Sequence, residues 1–132
     1  MIERIVIEGK PATKKNHNIM AKAGGRSFML PSKQYAAFEK MAIPQCRAAW
    51  GNEPPIDYGV AISVKIYNDT WRIGDHCGYL QAIGDMLEKA GVVADDKWIA
   101  WTFDGHWLGG VDNDNPRIEL TITRMRHPME NR

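Results

Sequence analysis

The segment Met1 to Ile7 mixes polar residues with the β-branched Ile2, Ile5, Val6 and Ile7, which predicts β structure over residues 2–8 closed by Gly9-Lys10-Pro11. A stretch rich in Lys, Asn and Gly follows: Lys14-Lys15-Asn16-His17-Asn18, then Lys22-Ala23-Gly24-Gly25-Arg26. Gly24-Gly25 suits a hairpin turn leading into a short strand at Ser27-Phe28-Met29-Leu30. Pro31-Ser32 then introduces a helix, with Ser32 as N-cap and Tyr35, Phe38, Met41 and Ala42 recurring at helical spacing. Pro44 lies inside that pattern and is expected to kink or end it.

Residues 51–55 read as a loop. From Val60 to Tyr67, Val60, Ile62, Val64 and Ile66 alternate with Ala61, Ser63, Lys65 and Tyr67, a strand with one apolar face. A second helix is expected over residues 77–90. Its apolar stripe is Tyr79, Leu80, Ile83, Met86, Leu87 and Ala90, its polar face holds Gln81, Asp85 and Glu88, and Gly91 stops it. Two more strands follow, over residues 97–103 and 117–124, the latter alternating Ile118, Leu120 and Ile122 with Glu119, Thr121 and Thr123. This order predicts an α+β fold: a mixed sheet with two main helices packed on one face, in a single domain spanning residues 1–132.

Composition narrows the class. Hydrophobic residues make up 44% and charged residues 25%, as in an ordinary globular protein. No run approaches the ~18–20 apolar residues of a membrane span, and the N-terminus lacks the pattern of a signal peptide. The expectation is a cytoplasmic protein with no membrane partner. Cys46 and Cys77 lack the paired spacing of a disulfide framework or a structural zinc site and read as reduced thiols. The net charge of +1 hides a split: residues 1–50 carry nine bases and three acids, a balance of +6, whereas residues 51–132 balance at −5. A basic half beside an acidic half suits a protein that grips phosphates and holds a divalent cation, although many proteins that do neither share it.

The candidate chemistry lies between Arg72 and Trp98. Asp75 precedes the second helix, Asp85 sits on its polar face, and Asp95-Asp96 follow its exit loop. Converging carboxylates are the ligands a hard cation such as Mg2+ requires. A bound cation can polarise a phosphate and lower the pKa of a water. Each acid also has an ordinary explanation: Asp75 as a helix cap, Asp85 as an exposed helical acid, Asp95-Asp96 as turn residues. A helix of this size is ~21 Å long. Asp96 therefore rejoins Asp75 within one subunit only if the connection doubles back almost fully; otherwise a two-fold partner brings the second acid.

The run Asp75-x-x-x-x-Leu80-Gln81-Ala82-x-x-Asp85-x-Leu87-x-Lys89-Ala90-Gly91-Val92-x-x-Asp95-Asp96 resembles the core signature of the RusA family of Holliday-junction resolvases, common in prophages. The likeness extends to Gly9-Lys10-Pro11 with the basic loop after it, and to the closing strand from Asn115 to Ile122. It implies a RusA-like nuclease domain: a homodimeric, Mg2+-dependent endodeoxyribonuclease of DNA recombination and repair, with Mn2+ as a possible substitute. Its substrate would be four-way junctions or other branched DNA, cut by metal-activated attack of water on phosphodiesters. Carried over by position, Asp75 and Asp96 are the catalytic and metal-binding acids, with Asp95 or Asp85 a possible third ligand. Lys10, Lys14, Lys15, Lys22, Arg26 and Arg72 are the expected DNA contacts.

The pattern departs from the family where the best-known branch has Asp-x-Asp-Asn before the helix and a lysine in its first turn. Cys77 stands at the second acid, Gly78 at the asparagine and Gln81 at the lysine. Losing a carboxylate weakens a Mg2+ site unless another oxygen replaces it, and a thiolate is a poor substitute. A zinc site of Asp75, His76 and Cys77 is conceivable but lacks further soft ligands. A second reading is therefore a degenerate relative that binds branched DNA without cutting it, and a third is a scaffold reused for protein interaction. Trp98, Trp101 and Trp107 suit a core or dimer interface better than base stacking. His106 and His127 accompany no nucleophile, so acyl-transfer chemistry finds no support.

Overall fold

A computed structural model of the chain describes residues 2–13, 19–23, 26–30, 33–103 and 109–131. The alternating segments become neighbouring strands whose apolar positions fall in register. β1 (Ile2–Glu8) pairs antiparallel with β7 (Arg117–Arg124), and β7 pairs antiparallel with β4 (Val60–Asn68). Ile7, Ile118 and Ile66 stand in one row across these strands, and Ile5, Leu120 and Val64 in the next. All six are buried. A one-residue slip would turn every one of them to the opposite face, so the burial itself fixes the register. That opposite face is polar, with Arg4 paired to Glu119 and Arg117 stacked on Tyr67 and paired to Glu119.

On its other edge β4 has two short parallel partners in succession. β5 (Ile99–Thr102) pairs with Val60 to Ser63, and β6 (Gly109–Val111) with Ile66 to Asn68. The result is a mixed five-stranded sheet with a separate two-stranded hairpin of β2 (Ile19–Ala23) and β3 (Arg26–Leu30). Parallel pairing of β4 with β5 requires a crossover, and α2 (His76–Lys89) supplies it. α1 (Lys33–Trp50) packs against α2 and β1. Both helices bury their apolar stripes in the same core as β1, β4 and β7. The α+β architecture expected from the pattern is the one observed.

Some elements differ from the expectation. α1 runs through Pro44, so of the two outcomes expected there, a kink or an end, the end is excluded. Pro44 is exposed, and the buried residues Tyr35, Phe38, Ala42 and Cys46 lie on both sides of it, so burial outweighs one lost backbone hydrogen bond. The segment expected as a strand from residue 97 begins as a 3-10 turn at Asp96–Trp98, with strand geometry from Ile99. β6 was not foreseen, nor was the terminal 3-10 turn Pro128–Asn131. The proposed Gly24-Gly25 turn and the Ser32 cap lie outside the described residues.

Two contacts lock the elements that carry the candidate chemistry. The Gln45 carboxamide accepts from the Glu8 amide and donates to the Glu8 carbonyl, both at 2.8 Å, joining α1 to the end of β1. Gly91, with a left-handed φ of 78°, ends α2 in a Schellman turn. Its amide donates to the Glu88 carbonyl, and the Val92 amide to the Leu87 carbonyl. Val92 and Val93 then enter the core, held by backbone bonds to Ile56.

The C-terminal segment folds back through Glu130, which accepts hydrogen bonds from the amides of Gly59 and His127 and from Arg124. These bonds, led by the Gly59 amide, push its carboxyl down to about 2 from the ordinary 4.5. The stabilisation is therefore present above about pH 4.5 and is lost as the pH falls through about 2. Glu130→Gln is expected to lower Tm by a few degrees at pH 7, with the gap to wild type closing as the pH is taken below 4 in thermal melts. A gap that stays constant with pH would contradict this account.

Candidate metal centre and nucleic-acid interface

The Schellman turn sends the chain back along the helix it has just left. Asp95 caps the following 3-10 turn, its Oδ1 accepting from the Lys97 amide at 2.8 Å. Glu88, on the last turn of α2, accepts the Asp96 amide at 2.7 Å. One carboxylate oxygen from each of Glu88, Asp95 and Asp96 then lies within 4.8 Å of the others, and all three residues are exposed. Asp96 also lies beside Gly84, where an added Cβ would meet the Asp96 Cβ at 3.8 Å. Asp85 is the next acid: its charge acts on Asp96, and its carboxylate accepts a 3.5 Å hydrogen bond from Tyr35 on α1.

This crowding has an electrostatic signature. Desolvation first, then the hydrogen bond and charge of Asp95, then the charge of Asp85, raise the Asp96 carboxyl above its ordinary value. Three carboxylates within reach of one point, one of them resisting ionisation, form a hard-oxygen donor set that a divalent cation would relieve. The donor set fits Mg2+ or Mn2+. It does not fit zinc through His76 and Cys77: His76 packs against Phe103 and Cys77 is exposed. Among the described residues, neither belongs to a group of metal-ligating side chains.

Asp75 lies at the other end of α2. It caps the helix, its Oδ1 accepting from the Gly78 amide at 2.6 Å. From Gly78 to Gly84, the level of Asp96, is six residues or about 9 Å along the axis. Two oxygens on one Mg2+ are at most about 4.2 Å apart. Asp75 is not part of the Glu88, Asp95 and Asp96 group. Gly78, where the family has asparagine, has a local reason. A Cβ there would lie 2.8 Å from the Thr13 Cβ, and one at Gly74 would lie 2.5 Å from the Thr13 Cγ2. The segment that follows β1 therefore packs directly onto the first turn of α2.

Of the expected DNA contacts, Lys10 and Arg72 are exposed and line one cleft of about 710 Å³ between α1, residues 10–13 and residues 72–74. Lys10 makes a loose 3.8 Å ion pair with Asp69. Lys22 and Arg26 belong to the β2–β3 hairpin, in register with Ser27 and Ala23. Lys14 and Lys15 lie outside the described residues, as do His106 and Trp107. Trp101 packs against the core and Trp98 meets His127 edge-on. Trp71, beside Arg72, is 79% exposed. Cys46 is buried, which pushes its thiol up to about 12 and leaves it unreactive.

Glu88 was missed as a site residue. Its signal was present: it follows Asp85 by three positions on the polar face and immediately precedes the turn to Asp95-Asp96.

No model of a known protein family matches the chain. One curated protein does: the sequence is 26% identical over 118 residues to "Crossover junction endodeoxyribonuclease RusA" of Aquifex aeolicus (strain VF5). The match covers 89% of this chain and 88% of that protein. The chain is thus divergently similar to RusA, and the likeness runs along most of its length and not α2 alone.

If the cluster holds a cation, Mg2+ or Mn2+ at roughly ten times Kd should stabilise the fold by about 1.4 kcal/mol, or about 5 °C in Tm. Asp96→Asn and Glu88→Gln should each remove most of that rise. An acid with a raised folded pKa costs stability as the pH climbs through that value, so metal-free Asp96→Asn should melt no lower than wild type at pH 7. A metal response unchanged in both variants would exclude the cluster.

Proposed function

We propose that the protein is a divalent-metal-dependent endodeoxyribonuclease acting on four-way or otherwise branched DNA. The observation that carries this is the carboxylate group at the exit of α2, in a chain that resembles RusA along nearly its whole length. In this reading Asp95 and Asp96, joined by Glu88, hold Mg2+ or Mn2+. Asp75 completes the site and is brought to it across a two-fold pair, since about 9 Å of helix separates it from the level of Asp96 within one protomer. A homodimer also matches the symmetry of a junction that needs paired cuts. When bound, the cation would supply charge neutralisation at the phosphate and a lowered pKa for a coordinated water.

The chain's own groups do the rest. Lys10 and Arg72, with Lys14, Lys15, Lys22 and Arg26, neutralise backbone phosphates and set the position of the strand. Asp85 adds negative potential at Asp96 while tied to α1 through Tyr35.

A second reading is favoured by one observation: no carboxylate stands at Cys77, and Gly78 is fitted against Thr13. In that reading the protein recognises branched DNA without cutting it. A synthetic four-way junction incubated with Mg2+ or Mn2+ separates the two. The nuclease should nick it, and Asp96→Asn should reduce cleavage on the order of 10²-fold or more while binding persists. Tight, structure-selective binding with no product under either cation would select the binding module.

A further inference from the structure

The cleft lined by Lys10 and Arg72 lies at the entry to α2, away from the Glu88, Asp95 and Asp96 group. Its volume of about 710 Å³ falls in the range of small-ligand sites. The walls are chiefly apolar, with Pro11 and Ala12 from one side, Phe38 and Met41 from α1, and Ile73 from the loop before α2. Asn68, at the end of β4, also lines it and is only 4% exposed.

The hydrogen bonding around Asn68 is directional. The Tyr79 hydroxyl accepts from the Gly74 amide at 2.9 Å and so gives its own proton to Asn68 Oδ1 at 3.4 Å. That orients the carboxamide and leaves Asn68 Nδ2 buried with no acceptor among the described residues. Buried amide donors without a partner are uncommon, and one lining an apolar cleft calls for an acceptor from outside.

We infer that this cleft receives the base of an unpaired DNA nucleotide. The match is chemical: a flat apolar body enters between Phe38, Met41 and Ile73, and a base carbonyl is drawn toward Asn68, whose Nδ2 lacks an acceptor among the described residues. The phosphates on either side of that nucleotide meet Lys10 and Arg72 at the rim. Branched DNA offers such a nucleotide at the branch point more readily than a continuous duplex does, because its pairs there are more easily opened. The inference rests on the DNA-binding reading above and adds to it what distinguishes a branch from a plain helix.

The test is a binding measurement in EDTA, so that cleavage plays no part. Three labelled duplexes of equal length are compared by fluorescence anisotropy: fully paired, carrying one unpaired thymine, and carrying an unpaired abasic residue at the same place. Wild-type protein should bind the thymine duplex roughly tenfold more tightly than the other two, the size expected for one captured base. Ala37→Phe fills the cleft from an exposed position of α1 and should erase that preference without changing affinity for the paired duplex. Gln34→Trp, also exposed and lining the cleft, serves the same purpose if Ala37→Phe fails to fold. Equal binding of all three duplexes, or a preference that survives a folded cleft-filling variant, overturns the inference and leaves the nuclease reading intact. Failure to bind any of the three also overturns the inference, and only failure to bind a four-way junction in the same assay overturns the DNA-binding reading with it.

Discussion

The parallel pairing of β4 with β5 is the constraint from which the rest of the architecture follows. Two adjacent parallel strands cannot be joined by a tight turn, so the chain between them must travel the length of the sheet and return. α2 makes that journey, and its entry and exit are fixed by the strands it connects. The acids at its two ends are placed by this requirement. So is the cleft at its entry, whose lining includes the end of β4 and the loop that leads into the helix.

Much of this was legible beforehand because burial leaves a period in the sequence. β4 and β7 alternate cleanly, and α2 shows an apolar stripe ended by glycine, so their type and approximate limits could be read directly. Where no such pattern is written, the reading failed. Gly109-Gly110-Val111 has neither alternation nor β-branched enrichment, and becomes β6 only because the edge of β4 beyond β5 offers unpaired backbone groups. The Gly109 backbone sits so close to Ile66 that a side chain there would overlap the Ile66 carbonyl, a fact of the fold that no local signal announces. Pro44 does not end α1, because the packing of Tyr35 through Cys46 outweighs its local preference for a stop.

The candidate centre was half legible. Asp95 and Asp96 stood out as a pair, and Asp85 as their neighbour on the helix. Glu88 did not, because its importance comes from the tight Schellman reversal, which brings the Asp96 amide onto its carboxylate. Sequence distance between positions 88 and 96 gives no hint of that closeness; the direction of the chain after Gly91 does. The basic residues were legible as a group, yet only the fold shows Lys10 and Arg72 sharing one cleft across 62 residues of chain.

The fit of Thr13 against Gly74 and Gly78 bears on how this protein could have diverged. An asparagine at position 78 would drive its first side-chain carbon into the threonine, so the more usual family residue cannot return while Thr13 stays where it is. Side-chain volume at position 78 is therefore coupled to that at position 13: a smaller residue at 13 would have to come first for a larger one to enter at 78.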